Sequence, residues 1–321
     1  MKISSVVDIV GGKLQNKPSI SFFTQSHTKL KKIKDGDLFI SSSLEDILSA
    51  IKNGAFGIVY DFEIDISKYD NEIAWIKVDS IQKAIVKLLR FELSNKELLS
   101  YSLDSVSYEI LKLLNPYKDN ILFLEDSMQN NLELINNLEN KTILVSKNHT
   151  FLTNIYPKTK QIVLKNYNLK NLTIHSIFET SFSYMGKLYY KLKISKLYIN
   201  NLLTIIELFK IQEIDNQKLK SLQYMQPIFI NKNLNLVEFG KTNRFIIANQ
   251  DKNITLKEIE FLYEYFKYGK IFILDATDLL HNNIYDIIKN KSFNCLYIKG
   301  KNLNEIKNIL ESNKIEEKTL F

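Results

Sequence analysis

The side chains that could do chemistry in this chain are scattered along it, and none falls in a metal-binding pattern. The four histidines, His27, His149, His175 and His281, occupy no H-x-x-x-H or H-E-x-x-H pattern. We therefore expect surface or capping roles for them and no metal site. The single cysteine, Cys295, lies in FNCLYIKG, an apolar stretch that predicts a buried strand, so we expect a core thiol.

A phosphate-binding loop requires glycines, a lysine and a hydroxyl at fixed spacing, because backbone N–H groups must turn inward onto the phosphates. None of the nine glycines has the G-x-x-x-x-G-K-[ST] spacing, and no glycine lies between Gly57 and Gly186. The stretch 96–114, KELLSYSLDSVSYEILKLL, still predicts a strand, a turn and a helix. Its turn contains Asp104, whose carboxylate would repel a triphosphate.

The segment 31–61, KKIKDGDLFISSSLEDILSAIKNGAFGIVYD, contains the motifs of a family resemblance. Its DGDLFI at 35–40 and GAFGIV at 54–59, with the leader VVDIVGGKL at 6–14, resemble the N-terminal domain of the Mur ligases. The resemblance is closest to the members that add D-alanyl-D-alanine to the UDP-N-acetylmuramoyl tripeptide in peptidoglycan synthesis. It implies a three-domain α/β protein and, for an active member, ATP and Mg²⁺ as cofactors.

The resemblance assigns the family's phosphate loop to the turn around Asp104. Matching EIL at 109–111 to the family's E-x-L places Asp104 where the catalytic lysine belongs. Serine and leucine then replace the loop glycines, and two further serines fall among its threonines. We therefore predict a degenerate phosphate loop with no catalytic residue, at positions Ser100, Leu103, Asp104, Ser105 and Ser107.

Other positions where the resemblance implies ligand contacts keep only part of the family's residues. TQSH at 24–27 stands near the family's D-S-R at the uridine site, and the helix at 196–209 lacks the family's histidine. The junction at 248–255 lacks its aspartate pair, and a carboxylate follows the predicted strand at 120–124, where the family binds Mg²⁺. The residues that could still bind a ligand are Gln25, Ser26, Glu125, Asn201, Asn249 and Asn253.

Four functional positions of one fold are thus altered together, while the strand and helix patterns stay coherent. We predict a non-catalytic, Mur-ligase-like protein, without a cofactor, that binds a UDP-muramoyl-peptide-like cell-wall precursor or a protein partner of peptidoglycan synthesis. The alternative is an active ATP-dependent, amide-bond-forming ligase with an unusual site that uses ATP and Mg²⁺. Nucleotide binding would separate the two hypotheses.

The composition argues against several other classes of function. The net charge is +7, but only Arg90 and Arg244 are arginines, so the residue that best reads bases and phosphates is nearly absent and we expect no nucleic-acid partner. No stretch reaches the roughly 18 apolar residues of a membrane span. The N-terminus lacks the pattern of a signal peptide, which predicts a cytoplasmic protein.

Alternating strand and helix patterns predict an α/β chain of Mur-ligase-like architecture with a shortened central parallel-sheet domain. We place the domains at 1–80, 81–226 and 227–321. The pattern predicts strands at 3–9 and 20–24, a helix after the Ser80 cap, and a hairpin within NLNLVEFGKTNRFIIANQ at 233–250. Thr255 is the expected N-cap of the helix that follows.

Overall fold

The computed structural model of the chain describes residues 1–115, 120–125, 127–136, 138 and 142–318. It divides into two compact units, one built from 1–104 with 117–163 and the other from 105–116 with 164–321. Each unit combines helices with parallel strands, which confirms the predicted α/β class. Among the described residues, the search for a helix with the length and apolar character of a membrane span finds none.

The first sheet of unit 1 has five strands in the order β1-β5-β4-β3-β2, parallel except for β1. Its central strands read as continuous apolar runs because both faces are covered. Leu38, Phe39 and Ile40 are all buried, as are Trp75 and Ile76. The elements of this part are α1 (Ile3–Val10), β1 (Lys13–Leu14), β2 (Ser26–His27), β3 (Asp37–Ile40), α2 (Leu44–Lys52), β4 (Ala55–Tyr60) and β5 (Ala74–Lys77).

The second sheet of unit 1 has four parallel strands in the order β7-β8-β6-β9. The helix before it begins where predicted, since the Ser80 side chain accepts a hydrogen bond from the Lys83 N–H. The elements are α3 (Ile81–Ser94), β6 (Leu99–Ser102), β7 (Ile121–Phe123), α5 (Met128–Ile135), β8 (Ile143–Ser146), α6 (His149–Ile155) and β9 (Lys160–Gln161).

Unit 2 begins with a helix that packs on two later helices, followed by a three-stranded antiparallel sheet. These elements are α4 (Ser105–Leu114), β10 (Lys170–Ser176), β11 (Glu179–Tyr184), β12 (Lys187–Leu192), α7 (Ile199–Leu208) and α8 (Asn216–Leu219). A sheet in the order β13-β14-β16-β15 completes the unit, with β14, β16 and β15 parallel. Its elements are β13 (Ile228–Phe229), β14 (Phe245–Asn249), α9 (Lys252–Tyr265), β15 (Ile271–Asp275), α10 (His281–Asn290), β16 (Cys295–Lys299) and α11 (Leu303–Lys318).

A buried carboxyl group joins the separate parts of unit 2. The side chain of Glu258 in α9 is 0% exposed and accepts four hydrogen bonds. Oε1 accepts from the Tyr198 hydroxyl at 2.6 Å and from the Met225 N–H at 2.9 Å. Oε2 accepts from the Tyr297 hydroxyl and from Asn249 Nδ2 at 3.3 Å. Glu258 therefore links the helical segment around Tyr198 to the parallel sheet.

Several local predictions were wrong. Residues 3–9 form a helix, because Ile3, Val6 and Val10 bury one helical face and Gly11 ends it in a left-handed conformation with φ +67°. Instead of a strand at 20–24, a short strand lies at Ser26–His27. The antiparallel partner of β14 is β13, so no 233–250 hairpin forms.

The predicted N-cap residue of α9 was also wrong. Asp251 caps the helix, with its side chain accepting from the N–H groups of Asn253 and Ile254, whereas Thr255 is buried within it. A carboxylate suits this position because it also faces the positive end of the helix dipole.

Cys295 is a buried core thiol, as expected.

Replacing the buried carboxyl group should unfold unit 2 more easily. Glu258→Ala leaves four donors without their acceptor and opens a void, so we expect a loss in the free energy of unfolding on the order of 3 kcal/mol or more. Urea denaturation measures the loss. Glu260→Ala is the matched control, since Glu260 lies exposed in the same helix and should cost less than about 0.5 kcal/mol. Equal effects of the two substitutions would contradict the role of Glu258.

The same carboxyl group gives the stability a pH dependence. Burial raises the pKa of Glu258 above its ordinary value, and the hydrogen bonds from Tyr198, Tyr297 and Asn249 offset part of this rise. The stability contributed by the protonated group is therefore fully present below about pH 4 and is lost as the pH rises through the folded-state pKa. Glu258→Gln cannot titrate. We expect the stability of the natural protein minus that of Glu258→Gln, measured in urea, to fall as the pH rises above 4; a difference that grows with pH would contradict this.

Candidate functional site

The strand that leads into the predicted phosphate loop ends in a closed set of hydrogen bonds. β6 ends at Ser102, and only two residues separate it from α4. Leu103 is 3% exposed, and its N–H donates to the Ser146 carbonyl at 3.0 Å. Ser100 Oγ is bonded to Thr159 Oγ1 at 2.8 Å. The Leu103 amide hydrogen is thus already used inside unit 1.

The last side chain of β6 contacts a histidine. Ser102 is buried, and its Oγ lies 2.9 Å from His149 Nδ1. His149 is the first residue of α6, where Asn148 caps the helix by accepting from the Phe151 N–H. Asp104, the next polar residue after Ser102, is exposed. The carboxyl end of this strand therefore carries a hydroxyl–imidazole pair and a carboxylate.

The helix side of the predicted loop belongs to unit 2 and is packed. Ser107 in α4 is 0% exposed, and Asn201 in α7 donates from Nδ2 to its Oγ at 3.1 Å. These two positions came from separate motifs in the sequence, and the fold brings them together. Ser105 lies half-buried at the start of α4. The amide that was predicted as a candidate ligand contact therefore forms a bond between two helices.

The stretch predicted near a uridine site lies against a buried histidine in unit 1. His27 is 5% exposed, with Nδ1 2.8 Å from Glu133 Oε2 and Nε2 3.5 Å from Asp37 Oδ2. The expected surface or capping role was wrong for His27, because the fold places it between two carboxylates. Gln25 is exposed and donates its N–H to Asp37. Ser26 Oγ is buried and has no hydrogen-bond partner within the described ranges.

Glu125 follows β7, at the same edge of the sheet as Ser102. Its backbone N–H donates to Asn131 Oδ1 at 2.9 Å, and its carbonyl accepts from Asn131 Nδ2 at 2.8 Å. Its carboxylate is exposed and accepts from Asn130 Nδ2 at 2.6 Å. Across the ranges that the structure describes, no group of three or more His, Cys, Asp or Glu side chains is arranged to hold a metal ion.

A concave site lies at the carboxyl ends of the parallel strands of unit 2. Asn249, Lys299 and Asp275 end β14, β16 and β15 and lie side by side in register. In open α/β sheets this edge is where ligands bind. The cavity there has a volume of about 450 Å³. It is lined by Gln250, Lys252, Thr255, Leu256, Asp275, Thr277, Lys299 and Gly300; we call it the strand-end pocket.

The charges of the strand-end pocket favour an anion. Lys252 and Lys299 supply two ammonium groups, against the one carboxylate of Asp275. The hydroxyl and backbone N–H of Thr277 lower the pKa of Asp275, and Lys299 and Lys252 lower it further, so this carboxylate stays ionised. One positive charge remains in excess among the lining residues. The pocket also lies at the first turn of α9, the positive end of its dipole.

The two predicted asparagines of this region have different roles. Asn249 is 4% exposed, with Nδ2 bonded to Glu258 and Oδ1 accepting from the Asp251 N–H at 2.9 Å. Asn253 is exposed, and only its backbone N–H is tied, to Asp251. None of the residues that line the strand-end pocket was among the predicted candidates, although three of them, Gln250, Lys252 and Thr255, lie in the 248–255 junction. The signal that could have found the others is the polar residue that ends each strand, Asp275 of β15 and Lys299 of β16.

Comparisons with known proteins identify the fold. No family model matches the sequence, and no curated protein matches it. Among solved structures, MurF from Acinetobacter baumannii superposes with a TM-score of 0.57 at 10% identity, over 97% of this chain and 98% of that one. MurF ligase from Thermotoga maritima in complex with ADP gives 0.54 at 14% identity, over 89% and 96%. The chain therefore has a Mur-ligase-like fold, which confirms the predicted resemblance at the level of the fold.

A glycine at the edge of the strand-end pocket should not tolerate a side chain. Gly300 has φ +80°, and an added Cβ would lie 2.7 Å from Thr277 Cα and 2.9 Å from its N. Gly240 has φ +76° with nothing within 4 Å, so Gly240→Ala measures backbone strain alone, about 1 kcal/mol. We expect Gly300→Ala to cost at least about 1 kcal/mol more in urea denaturation, because backbone must move. Equal costs would show that the pocket wall is not packed as described.

Proposed function

We propose that this chain is a non-catalytic protein of Mur-ligase-like fold that binds an anionic cell-wall precursor of the UDP-muramoyl-peptide type. The proposal has two parts, the loss of ATP chemistry and the retention of a ligand site. Each part rests on a different region, so each can be tested separately. A protein partner of peptidoglycan synthesis remains part of the proposal as a second ligand of the same fold.

The observation that carries the first part is the hydrogen bond from Leu103 to Ser146. A phosphate loop binds through backbone N–H groups that point away from the sheet toward the ligand. The Leu103 N–H points instead to a neighbouring strand at 3.0 Å, and the leucine side chain is buried there. The positions around it supply a carboxylate, Asp104, where an ammonium would be needed. These residues do not fit a triphosphate with Mg²⁺, so we assign no catalytic step to them.

The second part is supported by the charge and position of the strand-end pocket. UDP-muramoyl peptides carry phosphates and carboxylates, and Lys252 and Lys299 offer two cations for such groups. Charge-assisted hydrogen bonds of this kind are about twice as strong as neutral ones. Leu256 adds apolar surface beside the cations. A volume of about 450 Å³ would hold part of such a ligand, so we propose that it binds one anionic end of the precursor.

An active ATP-dependent ligase with an unusual site is the competing proposal. The observation in its favour is the likeness to a MurF ligase whose structure was solved in complex with ADP. Under this hypothesis the loop would have to rearrange and free the Leu103 amide before ATP could bind. The two proposals give opposite outcomes when the loop is altered.

Restoring the missing charge should not restore the chemistry. We expect Asp104→Lys to show no ADP release above background when D-alanyl-D-alanine and a UDP-muramoyl tripeptide are supplied. Ser100 and Leu103 would still carry Cβ atoms where glycines are needed, so the cradle would not form. A coupled ADP assay measures the release, with the unchanged protein beside it. Ligase-like turnover in either protein would overturn the non-catalytic proposal.

Removing the two pocket lysines should weaken precursor binding. We expect Lys252→Gln with Lys299→Gln to lower the affinity for a UDP-muramoyl peptide at least about tenfold, because charge-assisted hydrogen bonds contribute about 1.5–3 kcal/mol each. Isothermal titration calorimetry measures the dissociation constants. Lys232→Gln is the matched control, an exposed lysine of the same unit outside the pocket. No binding by the unchanged protein, or equal affinities for all three, would reject the precursor as ligand of this pocket.

A further inference from the structure

The β11–β12 hairpin of unit 2 projects apolar side chains that the core does not use. Met185 at its turn is 83% exposed, and Leu188 and Tyr190 on β12 are 63% and 64% exposed. The opposite face of the same hairpin is buried through Phe182 and Tyr189. Leu188 and Tyr190 are two residues apart and therefore point to one face of the sheet. We call Met185, Leu188 and Tyr190 the hairpin patch.

The turn at the tip of the hairpin has a backbone conformation that disfavours methionine. Met185 and Gly186 form a two-residue turn with φ +48° and +76°. Turns with two positive φ values prefer Asn-Gly, because a residue with a large side chain pays a steric penalty there. Nothing lies within 4 Å of a Cβ built on Gly186, so the tip stands clear of the rest of the chain. Folding therefore gives no reason for methionine at this position, whereas contact with a partner does.

Cations surround the hairpin patch. Lys191 is exposed on β12, and its ammonium lies 5.6 Å from the centre of the Tyr190 ring. Lys187 lies on the other side of the hairpin, where its ammonium donates to the Gln212 carbonyl. Lys170 on β10 is in register with Ser183, which is in register with Leu188, so all three share one row of the sheet. Neither Lys170 nor Lys191 is ion-paired within the part of the chain that the structure describes.

Two carboxylates near the hairpin patch already have partners. Glu179 is paired with Lys193. Glu207 accepts hydrogen bonds from the hydroxyls of Tyr184 and Tyr167 and lies 3.7 Å from Lys165. The positive charge around the hairpin patch is therefore directed to solvent. It calls for an anionic partner.

We propose that the hairpin patch docks on the surface of an anionic phospholipid bilayer. Met185 and Leu188 would enter the acyl boundary, Tyr190 would lie at the headgroup level, and Lys170 and Lys191 would contact lipid phosphates. A bilayer is favoured over an acidic protein because the patch is a protruding tip. A fluid lipid layer admits such a tip anywhere, whereas a protein must offer a matching pocket. This inference does not depend on the proposed ligand or on the loss of ATP chemistry.

The lysines and the apolar side chains each contribute to the strength of binding to the bilayer. Each lysine near an anionic membrane surface contributes about a fivefold increase in partitioning, and this increase is lost within a Debye length as salt rises. A methionine side chain that leaves water adds about tenfold or more. One short tip with two cations therefore predicts reversible binding to anionic vesicles and little binding to neutral ones.

Vesicle co-sedimentation of the full chain tests the proposal. We expect binding to vesicles of equal parts phosphatidylglycerol and phosphatidylcholine, weak binding to pure phosphatidylcholine, and loss of binding at high salt. Met185→Asn supplies the Asn-Gly turn, so its melting temperature should equal or exceed that of the unchanged protein. Its partitioning should nevertheless fall about tenfold. Lys170→Gln with Lys191→Gln should lower partitioning about 25-fold.

Matched controls keep the test specific to the tip. Tyr268→Asn removes another fully exposed aromatic of unit 2, and Lys232→Gln with Lys241→Gln removes two exposed lysines elsewhere. Both should leave partitioning within twofold of the unchanged protein. Leu188→Thr provides a second apolar variant with high strand propensity if Met185→Asn should fail to fold.

Three results would overturn the proposal. The first is no sedimentation with anionic vesicles at low salt, and the second is equal partitioning of the unchanged protein and the folded hairpin variants. The third is vesicle-independent association through the same residues. Binding of a poly-glutamate peptide that Met185→Asn weakens would assign an acidic protein instead. Dimerisation in sedimentation velocity that Met185→Asn abolishes would assign a second copy of the chain.

Discussion

A polar group buried in a protein must find its hydrogen-bond partner there, and each N–H offers a single hydrogen. In this chain that constraint takes up the backbone N–H of Leu103, which donates to Ser146. Two of the predicted candidate amides are also bonded inside the fold, Asn201 to Ser107 and Asn249 to Glu258. Because each bond stabilises the fold, releasing it to serve a ligand would cost about 1–3 kcal/mol. Under the function we propose, the bond from Leu103 to Ser146 opposes the formation of a phosphate loop.

Buried polar side chains stabilise the core of each unit. In unit 1, His27 joins strand β2 to Glu133 of α5 and to Asp37 of β3, inside a parallel-sheet core. In unit 2, Glu258 collects donors from three elements and from the loop at Met225. What remains open to solvent is different in kind: a pocket with two lysines, and a hairpin tip with exposed apolar side chains. These surfaces suit binding, which is the function we propose.

The sequence predicted the α/β class, most strands and helices, and the Mur-ligase-like fold, because buried parallel strands read as apolar runs and DGDLFI is specific. Local errors arose where a short apolar run was taken for a strand, as at 3–9, where Ile3, Val6 and Val10 follow the spacing of a helix that Gly11 ends. The candidate residues were found one at a time, but their pairing, such as Ser107 with Asn201, depends on tertiary contacts. The strand-end pocket was missed because its residues come from three separated strand ends. The hairpin patch was missed because β12 alternates between two faces, and from the sequence its apolar residues are indistinguishable from those of the core.

The most direct test of the non-catalytic account is a titration of the unchanged protein with MgATP, followed by its melting temperature and by calorimetric heat. If the Leu103 amide stays bonded to Ser146, no phosphate cradle forms. The account therefore predicts no saturable heat and a shift in melting temperature of less than about one degree at millimolar MgATP. Saturable binding with a rise of several degrees would show that the loop opens to hold a nucleotide and would contradict the account.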